Sequence, residues 1–320
     1  MRLLFIRHGD PDYTHDTLTE QGIREAKALA RLIPSLGVGD CYVSPLGRAR
    51  KTAQLSLEGT GIIPVEKDWL QEFMTDYDVN GSRLLQGVFP NLKRMEDLGR
   101  DYIDSYRSLG MMINPLIRER FTPDKEGKLP EYAPHVPWDM MPEYYTSHPE
   151  LSDPCDWRSS YIATHGGNMP APADRPAAGA PAGRKTESAE ETPVSTFLAC
   201  YDYVAESFDA FLAEYGYFRE EGGLYRTRRG TENTVTFFCH FGITAVLLSR
   251  LWNTSPFLLL QSLCTAPTSV TEVVTEERAE GLAYFSSLRI GDTSHLTMAG
   301  LKTSFAARFC ETYYSVGQRH

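Results

Sequence analysis

Apolar residues fall in short blocks along the chain, and their spacing predicts the backbone of each. Leu3-Leu4-Phe5-Ile6 is an unbroken apolar run, the pattern of a strand buried on both faces. Thr17-Leu18-Thr19-Glu20 reads as a capping box, with Thr17 as N-cap and Glu20 three residues on. A helix should follow, with Ile23, Ala26, Ala30 and Ile33 on one face and its end at Pro34. Cys41-Tyr42-Val43 is a second short strand, and Ser44-Pro45 places an N-cap residue before a proline at the first helical position. This strand-helix alternation is the rhythm of a parallel α/β sheet.

The texture changes at about residue 75 and changes back at about 231. The intervening stretch is helix-rich. Met95, Leu98, Tyr102, Tyr106 and Leu109 fit one helical face, and Phe197, Tyr201, Val204, Phe208, Phe211 and Tyr215 fit another that stops at Gly216. The second stripe reads as a helix packed on the sheet, with a homodimer seam as its alternative. Between them, more than half of residues 169–193 are Ala, Pro or Gly, too few large apolar groups to order the segment. A stretch at 135–145 dense in aromatics and methionine (His135 to Tyr145) suits either a lid or a loop packed on its own core. Beyond 231, Val235 to Cys239 is a strong strand, Ile243 to Trp252 a helix, and Val270 to Thr275 with Leu282 to Ser286 a strand pair around the polar turn Glu276 to Gly281. A last helix is expected from about Met298 to Tyr313. The expected division is a core of 1–74 and 231–320, with 75–230 as a mainly helical cap.

Composition narrows the class. A 320-residue chain with 42% hydrophobic and 23% charged residues is globular, and its net charge of −10 disfavours nucleic acid and anionic membrane surfaces as partners. No run approaches the ~18 apolar residues of a membrane span. The first apolar run is also too short for a signal sequence. The six cysteines form no CxxC pair and no zinc spacing, so they are expected to be reduced thiols in a cytoplasmic protein.

Three strand ends carry candidate chemistry. Arg7-His8-Gly9 follows the first strand, at the carboxyl edge where open α/β sheets bind ligands. A histidine there can act as nucleophile and an arginine can hold phosphate in paired hydrogen bonds. Ser44 to Ala53 leads from the second strand into a helix whose first turn holds Arg48, so the helix N-terminus and Arg48 form a cradle for an anion. Arg50 and Lys51 read as solvated. His240-Phe241-Gly242 stands between the strong strand and its helix and is preferred to the rival His165 in Thr164-His165-Gly166.

Together Arg7-His8-Gly9, Ser44-Pro45-x-x-Arg48-Ala49-x-x-Thr52-Ala53, His240 before Gly242, and Gly291-Asp292-Thr293-Ser294-His295-Leu296 resemble the histidine phosphatase superfamily, the phosphoglycerate-mutase-like family. The resemblance covers about half the chain. It departs from the family's pattern at the acidic Asp10-Pro11-Asp12-Tyr13, at Phe241 where glycine is common, and in the long central stretch. It implies a three-layer α/β/α sandwich with a mostly parallel central sheet and a large helical insertion. It further implies a histidine acid-type phosphatase, acting on a small phosphomonoester through phosphohistidine at His8, with no cofactor. Arg7, Arg48 and His240 would surround the phosphoryl oxygens, aided by Gly9 and Phe241. Glu72 is the favoured general acid, with Asp10 and Asp12 in reserve. Asp10, Ser44 and His295 would support these groups, and Asp292 and His295 are otherwise structural. No metal-ligand spacing appears, and two arginines with two histidines would repel a divalent cation. A phosphoryl mutase and a non-catalytic phospholigand-binding protein are the competing readings.

Overall fold

A computed structural model describes residues 1–73, 157–159 and 196–304. The expected helix of residues 95–109, the lid at 135–145, His165 and the 169–193 segment lie outside the described residues. Chain order runs β1 (Arg2–Arg7), β2 (Pro11–Asp12), β3 (Thr17–Leu18), α1 (Glu20–Leu36), β4 (Asp40–Val43), α2 (Gly47–Ser56) and β5 (Val65–Glu66). It continues with α3 (Thr196–Glu214), β6 (Tyr217–Arg219), β7 (Tyr225–Thr227), β8 (Thr234–Cys239), α4 (Phe241–Leu251) and α5 (Pro256–Ser262). The last elements are β9 (Val270–Ala279), β10 (Leu282–Asp292) and α6 (Ser294–Met298).

One sheet has the order β5-β4-β8-β1-β9-β10-β7-β6. The expected mostly parallel sheet is corrected: it is mixed, and antiparallel pairings outnumber parallel ones. β5, β4, β8 and β1 run parallel, whereas every pairing from β1 onward through β9, β10, β7 and β6 is antiparallel. The reason lies in the connections. Helical crossovers link the parallel strands, but β9 and β10 join through a tight hairpin at Glu280-Gly281, which forces antiparallel pairing. That hairpin is longer than the sequence suggested, because its polar outer halves, from Glu276 and beyond Ser286, still pair. β6 and β7, from the stretch assigned to the cap, extend the same sheet.

Alternation of side chains along β1 explains the core. Leu3 and Phe5 enter one apolar cluster with Val235, Phe237, Phe208, Phe211 and Val246, while Leu4 and Ile6 enter another with Phe238, Leu29, Ile33, Ala49 and Ala53. Helices α3 and α4 therefore cover one face and α1 and α2 the other, which is why the central strands are apolar throughout. Among the described residues, no helix is long and apolar enough to cross a membrane.

Four local expectations shift. The cap of α1 is Thr19, whose side chain accepts from Gly22 N, because Thr17 and Leu18 pair with Asp12 and Pro11 instead. α1 also runs past Pro34 to Leu36, where the buried Leu36 and the left-handed Gly37 (φ 61°) finish it. Leu46, not Ser44, precedes α2, and it offers no side-chain cap. The helix expected from about Met298 is not formed over residues 299–304, which follow α6 as turn and loop, and the rest of it lies outside the described residues.

Candidate functional site

The parallel register brings the strand ends together. Leu3 to Arg7 pair with Val235 to Cys239 of β8, and Cys41 to Val43 pair with Thr236 to Phe238 on its other side. The next residues continue the ladder: His8 N donates to Cys239 O at 2.9 Å and Ser44 N to Phe238 O at 3.0 Å. Ser44, His240 and His8 therefore leave three adjacent strands at one edge of the sheet.

His8 is buried, and its Nδ1 lies 2.7 Å from Gly9 O. A carbonyl accepts only, so Nδ1 carries a proton directed at Gly9 O. The His8 and His240 rings stand 5.0 Å apart, inclined at 57°. His240 is fully buried, and its Nε2 lies 2.7 Å from Ser44 Oγ. Burial, then Arg48, His8 and Arg7, hold its pKa well below the usual imidazole value, so it is neutral. Ser44 thus supports His240 rather than capping α2.

Two arginines face this pair. Arg7 Nη1 donates to Thr265 O at 2.6 Å, and Arg48 Nη1 donates to Asp16 Oδ1 at 2.8 Å, both from buried side chains. The N-terminus of α2 also meets a carboxylate of the chain itself: Asp16 Oδ2 accepts from Gly47 N. Glu72 is buried between the same groups. Its Oε1 accepts from Phe73 N at 2.9 Å and from Ile243 N at 3.0 Å. Burial raises its pKa, opposed by the Phe73 N–H, Arg48, the Ile243 N–H and Arg7. Arg7, His8, Arg48, Glu72 and His240 therefore share one buried place, although they come from four separate segments.

Gly9 and Phe241 complete the edge. Gly9 N donates to Thr52 Oγ1 at 2.9 Å, and that hydroxyl donates to Arg48 O at 2.8 Å. A Cβ on Gly9 would lie 2.8 Å from Gly22 O, so the turn after His8 packs against α1 where only glycine fits. Phe241 opens α4 with its ring buried, placing its main-chain N–H in the first turn.

The reserve acids have partners of their own. Asp10 Oδ2 accepts from Thr19 Oγ1 at 2.6 Å, and Asp12 pairs with the exposed His15 at 2.7 Å. His295 is buried with Nε2 3.0 Å from Thr268 Oγ1, and burial pulls its pKa down to about 4. Thr268 N in turn donates to Arg7 O at 3.0 Å and His8 O at 3.1 Å, so His295 touches the end of β1 through Thr268. Asp292 Oδ1 accepts from Ser294 N at 2.8 Å, fixing the turn before α6.

Sequence reading missed Asp16, Thr268 and Glu25, whose Oε2 accepts from Asp10 N at 2.8 Å. Of these three, Thr268 (φ 59°) and Asp16 (φ 45°) have a left-handed backbone, and no residue pattern announces it.

Residues 3–79 match the model of the histidine phosphatase superfamily, branch 1. That stretch holds Arg7, His8, Arg48 and Glu72, and the chain's motifs resemble the family's on both sides of the central segment. Solved structures with similarity include a phosphoserine phosphatase from Entamoeba histolytica, 14% identical, covering 92% of this chain and 98% of its own, at a TM-score of 0.43. The alpha-ribazole phosphatase from Shigella flexneri is 16% identical, covering 91% of this chain and 97% of its own, at a TM-score of 0.43. A mycobacterial glucosyl-3-phosphoglycerate phosphatase is 15% identical, covering 92% and 98%, at a TM-score of 0.40.

Proposed function

We propose that this protein hydrolyses the phosphate monoester of a small metabolite through a phosphohistidine on His8. The reading rests on the packing of the His8 and His240 rings 5.0 Å apart, with two arginines and a buried carboxyl beside them.

His8 Nε2 attacks phosphorus opposite the leaving oxygen, a P–N bond forms, and the P–O bond breaks. Arg7, Arg48 and His240 hold the equatorial oxygens, where charge must be stabilised as the phosphoryl moves. The first-turn N–H of Phe241 adds a dipole aimed at the same charge. Glu72 is suited to give its proton to the leaving oxygen, because burial raises its pKa and so favours the protonated form. Glu72 carboxylate then takes a proton from water, whose oxygen attacks phosphorus, and the P–N bond breaks to release phosphate. The resting enzyme is restored. No step needs a metal ion, so a chelator should leave the rate unchanged.

The test is His8→Ala on the full chain with an aryl phosphate, alongside isolation of an acid-labile, base-stable phosphoprotein from the native chain. Loss of both turnover and phosphoprotein is expected. Undiminished turnover in the variant would remove His8 from the chemistry. Labelled water separates hydrolysis from a mutase, since only hydrolysis places solvent oxygen in the released phosphate.

A further inference from the structure

We infer that Asp16 is the positioning residue for Arg48, a role that rests on the phosphohistidine reading above. Arg48 sits in the first turn of α2, and its side chain must be held inward to meet a phosphoryl group. Its neighbour Leu46, at the N-cap, supplies no side-chain acceptor. The acceptor comes instead from the tip of the β2–β3 hairpin. One Asp16 oxygen accepts from Arg48 Nη1 at 2.8 Å and the other accepts from Gly47 N. A single carboxylate thus ties the arginine to the helix that carries it.

Three observations show that this contact is built into the fold. Asp16 adopts φ 45°, a conformation that aspartate tolerates better than most residues. A Cβ on Gly47 would lie 2.1 Å from Asp16 O, so the hairpin tip lies directly on the helix start. Tyr13, from the same tip, places its ring 5.4 Å from the Arg48 guanidinium carbon, covering one face of the cation.

The geometry also leaves a suitable edge. Asp16 takes Nη1, while Nε of Arg48 is buried with no partner among the described residues. An arginine held at one corner offers its Nε–Nη2 edge for two parallel bonds to phosphoryl oxygens. Asp16 therefore acts through Arg48 and does not itself touch the substrate.

The experiment is a double-mutant cycle on the full chain with Asp16→Ala, Arg48→Ala and the pair. Readouts are kcat and KM for para-nitrophenyl phosphate, and inhibition and thermal stabilisation by inorganic phosphate. Asp16→Ala should raise KM and the phosphate inhibition constant about tenfold, the loss expected for one charge-assisted bond, with a smaller change in kcat. In the Arg48→Ala background the same change should have less than about a twofold effect. Asp16→Asn keeps an acceptor oxygen and should fall between, and it carries the cycle if Asp16→Ala does not fold.

An equal effect with and without Arg48 would overturn the inference, since Asp16 would then act through general stability. Tighter phosphate binding in Asp16→Ala would overturn it too, because the carboxylate would be a competitor for the cation. Native chain that is stabilised by phosphate without turning over the ester would defeat the hydrolase reading alone, and the cycle would still be read from phosphate binding. Native chain that shows neither response would defeat both.

Discussion

Glu72 Oε1 accepts the main-chain N–H of Ile243 at 3.0 Å, three residues beyond His240. One hydrogen bond therefore locks the segment after β5 to the first turn of α4, placing a buried carboxyl beside the two histidines. The same burial raises its pKa, so its position and the direction of that shift have one cause.

Glu72→Gln should lower kcat on alkyl phosphates by about 10²- to 10⁴-fold, the ordinary contribution of a general acid. The amide keeps an acceptor for Ile243 and Phe73, so the fold should hold. An aryl phosphate with a good leaving group needs less protonation and should lose much less. In the native chain, kcat on the alkyl ester should fall as pH rises through the raised Glu72 pKa, and the variant should lack that limb. Equal losses on both substrates would argue against Glu72 as proton donor.

Ser44→Ala leaves His240 Nε2 without its buried partner. The expected cost is about 1–3 kcal/mol of stability. Catalytic efficiency should drop about tenfold as the ring loses its orientation, one good hydrogen bond's worth. Denaturant unfolding and steady-state kinetics on the same preparation measure the two effects.

Glu25 is fully buried, and desolvation pushes its pKa up to about 7 from an ordinary 4.5. The folded state then binds more protons than the unfolded state between those values. Its contribution is complete below pH 4.5, diminishes as pH rises, and is gone above about 7. The Glu25→Gln variant keeps an acceptor for Asp10 N but does not titrate. Its stability relative to the native chain should therefore rise between pH 4.5 and 7, by an amount on the order of 3 kcal/mol. Urea unfolding at several pH values reads this difference, and a pH-independent gap would contradict it.

Gly22→Ala tests the approach of α1 to the turn after His8. In an exposed helix this change stabilises by about 1 kcal/mol. Here the new Cβ would lie 2.3 Å from Asp10 O, a backbone atom with little room to retreat. The sign should reverse, with a loss of roughly 1–3 kcal/mol from overpacking and a fall in turnover as His8 shifts. A melting temperature at or above that of the native chain would show that the turn yields.

Much of the core was legible from residues alone. The run Leu3 to Ile6 marked β1 because a strand covered on both faces needs apolar groups at every position. His240 at the start of α4 was legible because a strong strand ends beside it. The cap of α1 was misplaced because Thr17 and Thr19 are equally good acceptors, and only the pairing of Thr17 with Asp12 decides between them. The cap role read for Ser44 failed for a related reason. Ser-Pro is a good local cap signal, but His240, nearly two hundred residues away in the chain, claims its hydroxyl.

Local pattern determined which residues could do chemistry and which strand each would follow, because a side chain's acidity, basicity and place at a strand end are properties of a few adjacent positions. The folded chain decided how they act together. Long-range pairing set a mixed sheet, carried Asp16 onto Arg48, joined Glu72 to Ile243, and kept His240 neutral. Those outcomes depend on distance and dielectric between remote segments, and both come into existence only when the segments pack.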